Sequence, residues 1–258
     1  MVTGISAGAF KNNTDLISVT FQDGEMSIGE QAFANCTNLT TVTLGESITH
    51  TGNYTFEGCT NLKTVKLPTG LEGVGSGAFS KSGLQEIIIP QNVKNIGAFA
   101  FQKCHSLEKI TVSTSNQNYA SVDGNLYNKS KTELIQYALG KKEIGIIFPS
   151  TLTKIGAYAF RHCKNIKVVK IPSRITEIGE QAFYECTGLH TAWLSTGMTT
   201  INRWAFKGCT ALISLMIPGN ITTIKEGAFE GCSSLKGLTL LNDKLTTIGP
   251  SAFKNCAI

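Results

Sequence analysis

Eight cysteines and two of their neighbours are the residues of this chain that could do chemistry. Cys36, Cys59, Cys104, Cys163, Cys186, Cys209, Cys232 and Cys256 form an even set, which would allow a disulfide framework. Cys104-His105 and His162-Cys163 each join a thiol to an imidazole, the groups of a zinc site or of a Cys-His nucleophile. Spacing argues against all three uses. Every cysteine lies three residues after a phenylalanine of a regular series, and Asn13 and Ser82 fill that place in the two remaining units. A place fixed by phase and filled by a small residue reads as an interior row, because cysteine packs as a small hydrophobe. Thiols stacked one unit apart have parallel Cβ vectors, which disfavours a bridge. Chain neighbours do not aim at one point, and no C-x-x-C or H-x-x-x-H makes four ligands converge. The expectation is free buried thiols, with no disulfide, no metal and no cofactor. G-x-S-x-G, P-loop and H-E-x-x-H patterns are absent, so no catalytic residue is assigned and the chain is not read as an enzyme.

The series that positions the cysteines is Phe10, Phe33, Phe56, Phe79, Phe101, Phe160, Phe183, Phe206, Phe229 and Phe253. Its steps are 23 residues, with one of 22, one of 59 and one of 24. A fixed period in this range signals a solenoid, propeller or array. Each unit has two halves. The strand half, L-x-x-V-x-L-P, runs from Leu62 to Pro68 in one copy. Its alternating apolar residues predict a short strand with one face buried. Only one such strand fits per unit, so it must pair in parallel with the next unit, about 4.8 Å away. Pro68, Pro90, Pro149, Pro172 and Pro218 close strands, where a missing N–H ends a ladder harmlessly. The other half, I-G-x-x-A-F-x-x-C, has room for one to two turns of helix or 3-10 helix, with Phe and Cys on its inner face. Gly29, Gly52, Gly75, Gly97, Gly156, Gly179 and Gly249 follow its first apolar residue, which predicts a positive φ or close approach of neighbouring coils.

One stretch departs from the repeat. Residues 113–143 lack A-F-x-x-C, and Asp123-Gly124 between two apolar-alternating runs is a hairpin signal. This predicts a small β-hairpin or meander insert with a third strand over 132–137 and a rung resuming over 143–149. Tyr119, Tyr127 and Tyr137 are expected to pack on the solenoid.

Composition excludes some functions. Net charge is +5, charged residues make up 16%, and the Lys and Arg are dispersed, so no nucleic acid is expected as partner. No apolar run approaches the roughly 20 residues needed to cross a bilayer, so no membrane span is expected. Val2 to Phe10 already reads as the end of a unit, which points to a fragment of a longer protein lacking its signal peptide.

The 23-residue unit L-x-x-[VI]-x-[LI]-P…[LI]-T-x-I-G-x-x-A-F-x-x-C resembles the BspA-like leucine-rich repeat family over nearly the whole chain. The resemblance implies an α/β repeat: a right-handed solenoid with a curved parallel sheet on the concave face and short helical or 3-10 segments opposite. Residues 1–258 would then be one solenoid domain of about ten units. It also implies a cell-surface or extracellular location, since members are commonly surface proteins of bacteria and some protozoa. Several are associated with adhesion to host or neighbouring-cell proteins.

The outer sheet face carries the functional expectation. In L-x-x-V-x-L the second, third and fifth side chains point away from the core. Most of these are Thr and Lys. Val168, His190, Trp193, Ile213 and Met216 instead form an apolar cluster, rimmed by Lys167, Lys170 and Lys236. A rimmed apolar patch is how interaction sites present themselves, and Trp is enriched among hot spots. The expected function is a non-catalytic protein–protein or protein–glycan interaction module, acting as a monomer in adhesion to a host or extracellular-matrix protein. A structural spacer without a ligand is the alternative, and an enzyme the distant third.

Overall fold

The computed structural model describes residues 4–24, 27–142, 146–241 and 243–258. The fold is a parallel-sheet β-solenoid of about ten turns. The chain falls into two compact units, Met1–Lys129 and Ser130–Ile258.

In the first unit the strands Ser18–Thr20, Thr41–Thr43 and Thr64–Lys66 pair in parallel, with Val19, Val42 and Val65 in register. The valines turn inward, and the threonines on either side stay exposed, as the period of two requires. Glu86–Ile89 pairs with Lys109–Val112 in a separate sheet. In the second unit Val168–Lys170, Thr191–Trp193, Ser214–Ile217 and Gly237–Leu240 form one parallel sheet. Two-residue ladders at the I-G positions brace each unit, as Gly73–Val74 with Asn95–Ile96 and Thr200–Ile201 with Thr223–Ile224.

The expected helical or 3-10 segments do not form: the described residues contain no helix. Hydrogen-bond demand explains why. A one- to two-turn helix would leave most of its N–H and C=O groups without intrahelical partners. The segment instead alternates. Gln31, Phe33 and Asn35 donate across to Asn53, Thr55 and Glu57 carbonyls of the next coil, at 2.8, 2.9 and 2.6 Å. Ala32, Ala34 and Cys36 donate back to Gly29, Gln31 and Phe33 carbonyls, at 3.3, 3.0 and 3.2 Å. The geometry needs left-handed residues two before and two after each ladder phenylalanine, such as Gln31 (φ 55°) and Asn35 (φ 59°), or Gly227 (φ 58°) and Gly231 (φ 75°).

The glycines after the first apolar residue serve the other predicted purpose, close approach. A Cβ on Gly52 would lie 2.6 Å from the Gly29 carbonyl oxygen, and one on Gly75 would lie 2.3 Å from that of Gly52. Asn202 stands at this place in one coil and uses it, donating from Nδ2 to the Ile178 carbonyl at 2.7 Å.

The phenylalanines form the core of each unit. Phe10 through Phe101 stack in the first, and Phe160 through Phe253 in the second, with centroids 4.7–5.9 Å apart. Tyr137 takes the missing place in the series, 4.8 Å from Phe160. It is fully buried, as is Tyr127, while Tyr119 is half-buried with its hydroxyl accepting the Ile96 N–H. The predicted hairpin is present: Tyr119–Val122 pairs antiparallel with Asn125–Asn128 around Asp123 and Gly124, both at positive φ, the requirement of a type I′ turn. The third strand, Glu133–Gln136, pairs in parallel with Lys154–Ile155. Of the rung expected over 143–149, residues 143–145 lie outside the described residues and 146–149 carry no strand.

Candidate interaction surface

Sheet register in the second unit places the predicted residues in two rows. Lys170, Trp193, Met216 and Thr239 are direct neighbours on four successive strands. Lys167, His190, Ile213 and Lys236 precede those strands and are linked backbone to backbone: His190 N–H to Lys167 C=O (2.8 Å), Ile213 N–H to His190 C=O (3.2 Å) and Lys236 N–H to Ile213 C=O (3.0 Å). Trp193, Ile213 and Met216 are 50%, 52% and 48% exposed. His190 and the three lysines are exposed, while Val168 is half-buried. The His190 ring is held at its own coil, with Nδ1 2.7 Å from the Gly188 carbonyl oxygen.

The two rows lie three residues apart along the strand. Between them runs a third row on the same face, Val168, Thr191, Ser214 and Gly237. The surface is thus two apolar pairs, Trp193–Met216 and His190–Ile213, on either side of two hydroxyls. Three residues of strand, about 10 Å, separate them.

Pattern reading did not find the hollow beside Trp193. A cavity of about 410 Å³ is lined by Lys170, Ile171, Pro172, Ser173, Trp193, Leu194 and Thr196. Ladder bonding reaches Ile171 N–H to Trp193 C=O (2.9 Å) and then meets Pro172, which has no N–H to continue it. The signal was present in the sequence as a strand-closing proline one rung before a tryptophan.

The chemical candidates resolve into structure. Cys59, Cys104, Cys186, Cys209 and Cys232 donate from Sγ to the carbonyls of Phe33, Phe79, Phe160, Phe183 and Phe206 at 2.9–3.3 Å. All eight thiols are free, and all but Cys256 are buried. Burial pushes the Cys104 and Cys163 thiols up to about 11, away from the thiolate a nucleophile needs. His162 is buried and pairs with Glu185 one coil on, its Nδ1 2.9 Å from Oε2, while its chain neighbour Cys163 is buried as a free thiol. Among the described residues no three His, Cys, Asp or Glu side chains gather as a metal site, and no helix is long and apolar enough to cross a membrane.

The turn edge of the second unit carries aromatics and charges that the sheet-face reading passed over. The Arg203 guanidinium lies 3.6 Å over the Trp204 ring and 3.1 Å from Glu226, and Lys207 is 2.8 Å from Glu230. Each of these cations already has a carboxylate one coil on, so this edge is a self-contained network.

Comparison with known proteins agrees with the coil geometry. The BspA type leucine rich repeat region matches residues 3–133 and 136–258, in 6 copies. A leucine rich cell surface protein from Faecalibacterium prausnitzii is 32% identical, aligned over 99% of this chain and 75% of its own, with a TM-score of 0.81. The pneumococcal vaccine antigen PcpA is 26% identical over 93% of this chain and 68% of its own, also at 0.81. A leucine-rich repeat protein from Eubacterium ventriosum, 24% identical over 93% and 83%, shares the fold at 0.69. A search of curated proteins finds no match. With the repeat region matched along nearly all its length, the chain belongs to the BspA-type leucine-rich repeat family.

Proposed function

We propose that this chain is a non-catalytic interaction module of a bacterial cell-surface protein, which adheres to a protein or glycan ligand through the long-strand face of its second unit. The register of Trp193 beside Met216, both half-exposed on a face otherwise rich in Thr, Ser and Lys, carries the reading. An exposed aromatic fixed on a sheet offers large contact area at little conformational cost, and the surrounding lysines supply a polar rim. The cell-surface relative from Faecalibacterium prausnitzii supports the location.

Mechanism here is rigid display. Parallel strands hold the contact side chains on a lattice of about 4.8 Å, so binding orders little that is not already ordered. The test is a pull-down or surface-plasmon measurement against extracellular-matrix and cell-surface proteins and glycans. Trp193→Ala with Met216→Ala should weaken capture while leaving the melting temperature in place. Equal capture by both proteins would leave the chain a spacer on this face.

A further inference from the structure

The charges of the second unit are sorted by face. Away from the long strands, Arg203 pairs with Glu226 and Lys207 with Glu230, each one coil on. Lys154 lies between Glu133 and Glu177, at 3.3 and 3.5 Å. The strand half is different. Residues 163–176, 186–199, 209–222 and 232–242 contain no Asp or Glu. Lys167, Lys170 and Lys236 are exposed there, and none of them enters an ion pair among the described residues. The same face of the first unit is balanced, with Glu86 directly beside Lys109 on the neighbouring strand.

Like charges without a counterpart draw anions and raise their local concentration. The spacing sets the size of the anion. Lys167 and Lys236 stand three strand spacings apart, about 14 Å. Lys170 lies in the other row, beside Trp193. One small anion cannot meet all three, so the matching ligand is a chain that carries negative charge at intervals.

Side chains say which kind of chain. Backbone pairing is closed to a ligand here, because Thr191–Trp193 and Ser214–Ile217 are bonded to a strand on both sides. The face offers hydroxyls instead, from Thr191, Ser214 and Thr239, and one indole. Arg203 lies over the Trp204 ring, whereas no cation lies over Trp193 among the described residues. The half-exposed Trp193 borders the hollow of about 410 Å³, whose wall includes Lys170, Ser173 and Thr196. That volume falls in the range of ligand pockets, roughly 300–1,000 Å³. A pyranose ring has an apolar C–H face that packs on an indole by dispersion. Its hydroxyls match Ser and Thr hydroxyls, and an ammonium group binds a carboxylate or sulfate on it.

We propose that the ligand of this face is an acidic polysaccharide. One sugar ring sits in the hollow against Trp193, and the anionic groups along the chain meet Lys170, Lys167 and Lys236. This rests on the reading of the face as a binding surface and names the ligand it takes.

The experiment measures the full chain by bio-layer interferometry on immobilised heparin, hyaluronate, neutral dextran and poly-glutamate, in about 0.15 M salt, where exposed charges are screened beyond about 8 Å. The first triple variant is Lys167→Gln, Lys170→Gln and Lys236→Gln. The second, Lys63→Gln, Lys66→Gln and Lys109→Gln, removes the same net charge from exposed places in the first unit. The expected result is binding to heparin, to hyaluronate or to both, and none to dextran. Binding to heparin alone assigns sulfate as the anionic group, and binding to hyaluronate assigns carboxylate. Affinity should fall at least tenfold in the first triple variant, less than twofold in the second, and at least fivefold in Trp193→Ala. Equal losses in the two triple variants would reduce the binding to net charge and overturn the proposal. Poly-glutamate held as tightly as the glycans, with Trp193→Ala indifferent, would assign the face to an acidic protein and equally overturn it. Should neither anionic glycan bind while Trp193→Ala with Met216→Ala still weakens capture of a surface protein, the ligand class falls and the binding surface stands. Should that double variant also change nothing, both fall.

Discussion

The indole of Trp204 occupies the space that a side chain on Gly227, 23 residues later, would need: a Cβ there would stand 2.4 Å from Trp204 Cδ1. Tyr54 and Gly77 repeat the arrangement in the first unit, at 2.3 Å. In both pairs a bulky residue in the left-handed region lies against a glycine that is itself left-handed.

Gly227→Ala should therefore lose about 2–5 kcal/mol, adding a left-handed alanine at about 1–2 kcal/mol to an overpacked contact at about 1–3 kcal/mol. Trp204→Ala in the same chain should return the contact part and leave the backbone part. Urea denaturation of the two single variants and the double variant measures the split. A double variant no more stable than Gly227→Ala would mean that the indole yields freely.

Phe183 is fully buried between Phe160 at 4.7 Å and Phe206 at 5.0 Å. Phe253, at one end of the stack, lies 5.3 Å from Phe229 and is half-buried. Phe183→Ala should cost about 3–5 kcal/mol, the usual range for emptying an aromatic site, and Phe253→Ala clearly less. Equal losses would show that the stack is not the core its burial suggests.

The thiols make stability depend on alkaline pH. Burial pushes Cys104 and Cys163 up to about 11 and Cys59 up to about 12, from 9.0. A raised folded pKa gives stability that is whole below about 9 and is lost as pH climbs toward 11 to 12, because the unfolded chain releases its protons first. Each such thiol steepens the decline by up to about 1.4 kcal/mol per pH unit. Ser82 already fills this place in one coil, 3.4 Å from the Cys104 Sγ, so Cys104→Ser should fold. Urea midpoints from pH 8 to 10.5 should fall less steeply in that variant than in the wild type.

Trp193→Ala with Met216→Ala removes two half-exposed side chains from one row and opens no interior cavity. Its melting temperature should stay within about 2 °C of the wild type, since surface changes away from special features cost within about 0.5 kcal/mol. Ligand affinity should fall at least tenfold, with Thr41→Ala on the other unit's sheet as the control that changes neither.

Much of this was legible because the repeat is read by phase. Phe and Cys in step gave the interior rows, L-x-x-V-x-L gave the strand faces, and Asp123-Gly124 gave the hairpin. The turn half was misread because a Phe and a Cys three apart suit a helix and suit equally a chain with a left-handed residue two before and two after the Phe. The clue lay two residues before and after each Phe, where Gly8, Gly58, Gly77, Gly208, Gly227 and Gly231 mark the left-handed places. Tyr, Lys, Trp and His at the same places in other coils masked it. The missing residue near Ser82 was visible, but not that the turn half keeps its bonds across it, with Phe56 and Gly58 N–H donating to the Ala78 and Ser80 carbonyls, each at 2.8 Å, while Thr64–Lys66 and Glu86–Ile89 fall into separate sheets.

That division decides where this chain can change in length. From Gln31 to Cys36, alternate N–H groups point across to the next coil and back within their own. One residue more or fewer would exchange the two kinds and take a ladder phenylalanine off its cross-coil donor place. The spacing of Ile28 to Phe33 recurs unchanged in Ile96 to Phe101, Ile178 to Phe183 and Ile248 to Phe253. The single-residue changes near Ser82 and Leu241 both fall outside it. The turn half is the ruler of the repeat. New loops and engineered insertions have their place beside the strands, where a shift costs one pair of neighbours its ladder and leaves the rest of the stack in count.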